Sequence, residues 1–389
     1  MNKVFNVYLA RNDSPCEARA MLELPALPYA LRDAMDKVRL REGDELLVQI
    51  ECYHRCGFLS DMLDSSPRLW ELNALAEKLA GLDRLQEKCL EGLVRIDTED
   101  GTKKIGLDRL SCLVSSVDAA ELIPVSSDEE YGKYCVKHGL IPALKDLPET
   151  VQEMLDFDKI GFVRRCLEEG AFLDDGRSYV IKHGEIPALH AEKEFTSSEP
   201  DYSVLLMVNA LDHNEALPLK LPTSLAEIDT ALDHRPAVSW ECVDCRVPTL
   251  GKLLSEAESL DIVCETAAVL ETIPEKNLPA YKALLEAEGF YSLGEAMGML
   301  DRLGAYLLSP QYSTPAELAA DELGFLLSAH DAETLLPFVD LHAYGNKLIQ
   351  QQELTLTEYG LIEQKDSQPV QGQKEENKPS QGGMTMGGI

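Results

Sequence analysis

Apolar and polar positions alternate over Glu45 to Glu51 (ELLVQIE), which predicts a half-buried strand. Lys3 to Leu9 (KVFNVYL) is β-rich and reads as an earlier strand. Between them Pro25-Ala-Leu-Pro28 punctuates the chain. Tyr29 to Val38 then repeats apolar residues at helical spacing, with Leu31, Met35 and Val38 inward. Leu69 to Leu93 predicts two helices broken near Gly81, followed by a polar turn over Thr98 to Thr102. Leu107 to Val114 is a short helix and Ala120 to Val125 a short strand closed by Pro124. Ser126-Ser-Asp-Glu-Glu places a hydroxyl cap before acids in a first turn, and the helix it starts ends at Gly139. In Ala171 to Lys182, Asp175-Gly176 between apolar runs predicts a β-hairpin.

The segment Asp146 to Gly170 (DLPETVQEMLDFDKIGFVRRCLEEG) carries Asp146, Glu149, Glu153, Asp156 and Asp158. Read as one helix, it puts Glu149, Glu153 and Asp156 on one face and Val151, Met154 and Leu155 on the other. That is an acidic outside and an apolar inside. The pattern returns at Leu335 to Gln351 (LLPFVDLHAYGNKLIQQ) as a Leu-Pro opening, an Asp, an apolar residue and a Gly followed by a basic residue.

Ile186 to Tyr202 is charged and lacks periodicity, so a boundary is expected there. After it the plan restarts. Val204 to Asn209 and Ala216 to Leu221 are strand-like, Thr223 to Asp233 is helical, and Val238 to Val243 is strand-like again. Gly251 to Leu307 reads as nearly continuous helix with breaks at Pro274, Gly289 and Gly304. Pro315 sits at the first position of a further helix capped by Ser313-Thr314, and Glu353 to Glu363 predicts a terminal hairpin. The tail from Asp366 is polar, rich in Gln and Gly, and is expected to be disordered.

The order of elements suggests an internal duplication. Leu24-Pro25 corresponds to Leu221-Pro222 at an offset of 197, and Gly161 to Gly345 at an offset of 184. The expected architecture is therefore α+β, an array of several small α/β domains. They are 1–68, a helical middle at 69–125, a motif domain at 126–185, a linker at 186–202, then 203–250, 251–312 and a second motif domain at 313–365, before a tail at 366–389.

Composition narrows the function. The chain has 68 acids against 36 bases, a formal charge of −32, which argues against direct binding to nucleic acid or an anionic membrane, since both need a basic footprint. A basic partner, such as a protein with a DNA-binding groove, remains open. There is no signal peptide and no apolar run of membrane-spanning length, so the expected location is the cytoplasm. The ten cysteines are scattered and read as small core residues in a reducing compartment. The pairs Cys52/Cys56 and Cys242/Cys245 could bind zinc only if brought together from about 190 residues apart. Asp97, Glu99 and Asp100 read as a solvated turn rather than a metal site. No phosphate loop, dinucleotide fingerprint, zincin helix or nucleophile elbow is present, so no enzyme activity, metal or cofactor is expected.

Asp146-Leu-Pro-Glu-Thr-Val-Gln-Glu-Met-Leu-Asp-Phe-Asp-Lys-Ile-Gly161 resembles the antirestriction motif of the ArdA proteins. In that family a Pro-Glu precedes an aromatic-acid pair, then a Tyr-Gly followed by Arg. Phe338-Val-Asp-Leu-His-Ala-Tyr-Gly345 is similar to the Tyr-Gly end, whereas Ile160 replaces the Tyr in the first copy. VYLARND and LWELNALAEKLAGL are also similar to ArdA openings and middles. The resemblance covers most of 1–185 and, more weakly, 203–365. It implies an elongated, curved row of small domains, usually dimeric, that mimics bent B-DNA. Such proteins are carried by mobile elements and occupy the DNA groove of type I restriction-modification enzymes. With an apparent second copy, this chain would be a fused pseudo-dimer or half of a longer homodimer.

The charge suits such a role: B-DNA carries one charge per about 1.7 Å, so a surplus of 32 charges matches roughly 16 base pairs, or about 54 Å of duplex. The expected partner-binding acids are Asp146, Glu149, Glu153, Asp156 and Asp158, then Asp128, Glu129 and Glu130, and in the second copy Glu317, Asp321 and Glu322. Any one of them alone reads as a solvated surface acid; the expectation concerns the array. Leu155, Phe157, Gly161, Tyr344 and Gly345 are expected in the motif core or at an interface. Two rivals stand beside this reading: an acidic interaction factor for another basic DNA-processing protein, and an acidic hydrolase.

Overall fold

The computed structural model describes residues 2–11, 18–40, 43–63, 67–99, 101–144, 147–152, 154–187, 200–213 and 215–365. The expected tail, most of the expected linker, and the acids Asp100, Asp146 and Glu153 lie outside the described residues. The protein is α+β, with several small three-stranded antiparallel sheets. It divides into two compact units, Met1–Leu278 and Pro279–Ile389. The division thus falls inside the run read as one helical domain, not at 186–202.

In the first unit, β1 (Phe5–Arg11) is the central strand between β2 (Arg19–Leu24) and β3 (Leu46–Tyr53). Phe5, Val7 and Leu9 alternate inward and are fully buried, so the period-two pattern is obeyed. α1 (Pro28–Val38) covers this sheet; Pro28 presets its first turn, and Leu31 and Val38 are buried with Met35 packed against them. β2 was not expected. Its sequence, RAMLEL, consists of residues that favour helix, and only pairing with β1 along Phe5–Ala10 makes it a strand.

α2 (Leu69–Ala80) and α3 (Arg84–Asp97) break at Gly81 as expected. Asp83 starts α3 by accepting from the Leu85 and Gln86 amides, and the Gln86 side chain returns to the Asp83 amide. α4 (Leu107–Ser115) follows. One continuous apolar cluster joins the first sheet to α1–α4, so residues 1–68 and 69–125 share a core.

α3 also lies under a second sheet of order β4-β6-β5, formed by β4 (Ala120–Ile123), β5 (Gly170–Phe172) and β6 (Tyr179–Lys182). Between β4 and β5 run α5 (Asp128–Lys137), α6 (Glu149–Gln152) and α7 (Phe157–Arg165). The single amphipathic helix read from Asp146 onward is therefore corrected. Asp156 accepts from the Lys159 amide and starts a new helix, so α6 is only one turn. Val151 (43% exposed) and Met154 (86%) consequently face solvent rather than a core.

The plan then recurs. β7 (Val204–Ala210) lies between β8 (Leu217–Leu221) and β9 (Ala237–Cys245) in the order β8-β7-β9, matching β2-β1-β3. α8 (Leu225–Ala231) takes the place of α1. The β7–β9 ladder bulges between Leu205 and Leu206, as the β1–β3 ladder does between Asn6 and Val7. Leu24-Pro25 and Leu221-Pro222 are both cis. α9 (Gly251–Ser255) and α10 (Leu260–Thr272) complete the first unit.

The second unit holds α11 (Leu278–Glu288), α12 (Leu293–Arg302), β10 (Tyr306–Ser309), α13 (Pro315–Leu326), α14 (Ala329–Leu335), α15 (Leu341–Gln351), β11 (Thr355–Thr357) and β12 (Gly360–Gln364). Its sheet order, β10-β12-β11, repeats β4-β6-β5. The helix expected to run to Leu307 stops earlier: Tyr306 to Ser309 pair with Leu361–Gln364, and that ladder takes the segment from helix to strand. Among the described residues no helix is long and apolar enough to cross a membrane.

Candidate functional site

Each motif domain is built on two crossing helices that touch through their backbones. In the first, α5 and α7 run antiparallel. A Cβ on Gly161 would lie 1.8 Å from the Asp128 carbonyl oxygen, and one on Gly132 would lie 1.9 Å from that of Phe157. In the second, α13 and α15 meet the same way, and a Cβ on Gly345 would lie 1.8 Å from the Pro315 carbonyl oxygen. Close crossings of this kind require a residue without a side chain. Asp156 caps α7 through the Lys159 amide at 3.1 Å, and Asp340 caps α15 through the Ala343 amide at 2.9 Å. The recurring Asp and Gly of the sequence motif are thus the start and the contact point of one helix. Phe157 and Tyr344 are half-buried, and Lys133 Nζ sits 6.0 Å from the Phe157 ring centroid.

The acids fall into two groups. Asp156 and Asp158 are exposed around the first turn of α7, and Glu149 opens α6. Glu129 is exposed and pairs with Lys133 at 2.5 Å. Asp321 is exposed and accepts from the Tyr312 hydroxyl; Glu322 is half-exposed. Others are committed locally. Asp128 is no free groove acid: both its oxygens bind Arg165, at 2.8 and 3.0 Å, which raises the guanidinium pKa. Glu130 accepts from the Ser126 hydroxyl and amide at 2.7 Å, bonds that hold its carboxyl below the usual range. Glu317 closes a capping box with Thr314. Acids in a first turn also suit the positive helix end. With Asp128, Glu130 and Glu317 so engaged, the array is thinner than the sequence suggested, and Asp156, Asp158, Glu129 and Asp321 are the exposed acids left to it.

Another cluster was not read from the sequence. Asp244 on β9 is buried and accepts from the Tyr29 amide at 3.2 Å and the Tyr202 hydroxyl at 2.8 Å. The Tyr29 hydroxyl donates to the Tyr202 carbonyl at 2.5 Å. Arg246, also buried, donates to the Leu270 carbonyl and to Glu275 at 2.6 Å each. This network joins α1 of the first plan to β9 of the second inside one unit. Burial raises the Asp244 carboxyl and pushes the Tyr29 phenol up to about 12. The network spans residues more than 200 positions apart, and no local pattern announces it.

Burial also pushes the Cys56 thiol up to about 12 and raises those of Cys89 and Cys245. These are protonated core thiols at neutral pH rather than activated nucleophiles. Among the described residues no group of three or more His, Cys, Asp or Glu could hold a metal ion. Asp97 is bound by Arg109 at 2.6 and 3.0 Å. The chain matches no known protein-family model and no curated protein.

Proposed function

We propose that this protein is an ArdA-like antirestriction factor. It presents an acidic surface in place of DNA phosphates and occupies the DNA-binding groove of a type I restriction-modification enzyme, without chemistry of its own. The observation that carries the reading is a repeated motif domain that exposes acids in both copies, Asp156, Asp158 and Glu129 at helix starts in the first and Asp321 along α13 in the second, within a chain of charge −32. Acids fixed in first turns by caps are held rigidly by the backbone, which is what a surface standing in for a phosphate array requires. Attraction to a basic groove would steer association and weaken as salt screens it.

The test is competition. A labelled duplex is bound to a purified type I methyltransferase and titrated with the protein across a salt series. Displacement at low salt that fades at high salt is expected. A duplex that stays bound at low salt, with the protein in excess, would reject the proposal for that enzyme.

A further inference from the structure

A bulge brings two cysteines onto one face of β9. Cys245 pairs with Val204 and Asp244 with Leu205, but Leu206 pairs with Cys242, so Val243 is the extra residue. On a regular strand, positions three apart point to opposite faces. Here the extra residue restores the phase. Cys245 and Cys242 stand opposite Val204 and Leu206, which lie two apart on β7 and are both fully buried. Val243 is turned out instead and is 37% exposed. The two thiols meet as a result, and that of Cys245 donates a hydrogen bond to Cys242. Positions opposite two such residues stand about 6.6 Å apart, within the Cα separation of about 4.4–6.8 Å that a disulfide bridges.

The first plan makes the same bulge without the thiols. Phe5 corresponds to Val204, since each pairs with the Leu of its Leu-Pro step. Phe5 also pairs with Tyr53, Asn6 with Cys52 and Val7 with Ile50, leaving Glu51 as the extra residue. Ile50 and Tyr53 thus stand where Cys242 and Cys245 stand in the second plan, and both pack against the first core. The fold therefore needs no sulfur at either position. Access divides the pair: Cys245 is 2% exposed, whereas Cys242 is half-buried and within reach of solvent. A bridge between them would span Asp244, the residue that ties β9 to α1 through the Tyr29 amide.

We infer that Cys242 and Cys245 form a redox site, closed into an intrachain disulfide by a hydroperoxide and reopened by a thiol reductant. With hydrogen peroxide, the Cys242 sulfur attacks one peroxide oxygen. An S–O bond forms, the O–O bond breaks, and one water leaves behind a sulfenic acid. The Cys245 sulfur then attacks the Cys242 sulfur. The S–S bond forms, the S–O bond breaks, and the Cys245 proton departs with the hydroxide as a second water. Two electrons pass from the thiols to the peroxide. Burial raises the Cys245 thiol well above its ordinary range, so it stays protonated until a sulfenic acid forms beside it. In a reducing compartment a disulfide of this kind is transient.

Hydrogen peroxide treatment of the full chain, then alkylation and peptide mass mapping, tests this. In the peptide that holds Cys242 and Cys245, both alkylation sites should be lost together, at a mass two hydrogens below the dithiol. Dithiothreitol should restore both. Cys245→Ala should leave a Cys242 sulfenic acid that dimedone captures, an adduct the wild type loses to the bridge. Cys242→Ile, the residue of the first plan, should keep the fold by far-UV circular dichroism and leave Cys245 unmodified by peroxide. The inference is overturned if Cys242 passes to sulfinic acid while Cys245 stays alkylatable, or if it bridges to Cys52 or Cys166. It is equally overturned if the dithiol survives while those two exposed thiols react. The result is separable from the antirestriction reading: a bridge in a protein that displaces no DNA leaves this inference standing, and displacement without a bridge removes it alone.

Discussion

Replacing Gly161 by Ala puts the backbone contact between α5 and α7 to a quantitative test. The new methyl carbon would stand 1.8 Å from the Asp128 carbonyl oxygen. An ordinary contact is near 3.4 Å, so the two helices would have to part by roughly 1.5 Å, and the obstacle is backbone that no rotamer change can move. Overpacking a tight site costs about 1–3 kcal/mol, and a backbone obstacle belongs at or beyond the upper end. Ala gains about 0.5–1 kcal/mol over Gly in a helix interior. The net expectation is a loss of about 2–3 kcal/mol confined to the motif domain. Because the chain has more than one compact unit, a single global unfolding curve is the wrong readout. Amide hydrogen exchange resolves the region: α5 and α7 should open roughly 30- to 150-fold more readily, while β1 and β7 stay unchanged. Gly345→Ala should do the same to α13 and α15, where the obstacle is the Pro315 carbonyl at 1.8 Å. Gly298→Ala, on α12 with nothing within 4 Å, should leave its helix unchanged or slightly firmer. Unchanged or slower exchange in Gly161→Ala would refute the account of the motif glycine.

Other perturbations test the remaining parts. Asp244→Ala strands the Tyr202 hydroxyl and the Tyr29 amide in a buried joint and should cost about 2–4 kcal/mol, read by amide exchange in α1 and β9, whereas Asp244→Asn, which keeps an acceptor, should cost less. Asp128→Asn weakens the two-pronged bond to a partly exposed Arg165 and should loosen α5 against α7 by about 1 kcal/mol, measured by exchange. Asp175 gives a pH test. Burial alone would raise its carboxyl, but bonds from Lys88, the Arg177 amide and Ser178 outweigh that and hold it at about 2, below its ordinary 3.8. A depressed carboxyl stabilises the fold above the ordinary value and loses that contribution as pH falls from 3.8 toward about 2. Amide protection in β5 and β6 should therefore fall less in Asp175→Asn than in the wild type across that window.

Much of the fold was legible because it rests on local chemistry. Gly81, Gly139 and Asp175-Gly176 mark real ends and turns, and Ser127 and Thr314 cap real helices. The duplication was legible from Pro25/Pro222 and Gly161/Gly345 because each pair occupies the same place in two repeated plans. What stayed hidden depends on partners distant in sequence. β2 is a strand only because β1 pairs with it, and Tyr306–Ser309 only because β12 does. The acidic segment misled for a different reason. Its spacing fits one helix, but the Asp156 cap restarts the helix one turn later and turns Val151 and Met154 outward. Charge counting also overstated the site, since Asp128 is spoken for by Arg165, a partner the sequence places 37 positions away.

The central claim is that the exposed acids of the motif domains stand in for DNA. It is tested most directly by a displacement titration with the wild type beside a variant carrying Asp156→Asn, Asp158→Asn, Glu129→Gln and Asp321→Asn. The N-cap Asp156 is changed last in the series, so that loss of its cap is separated from loss of charge. The account predicts that the wild type releases labelled duplex from a type I methyltransferase at low salt. It also predicts that each neutralised acid weakens release stepwise and flattens its dependence on salt, with the fold intact. Displacement equal for the wild type and the folded, neutralised protein would contradict it.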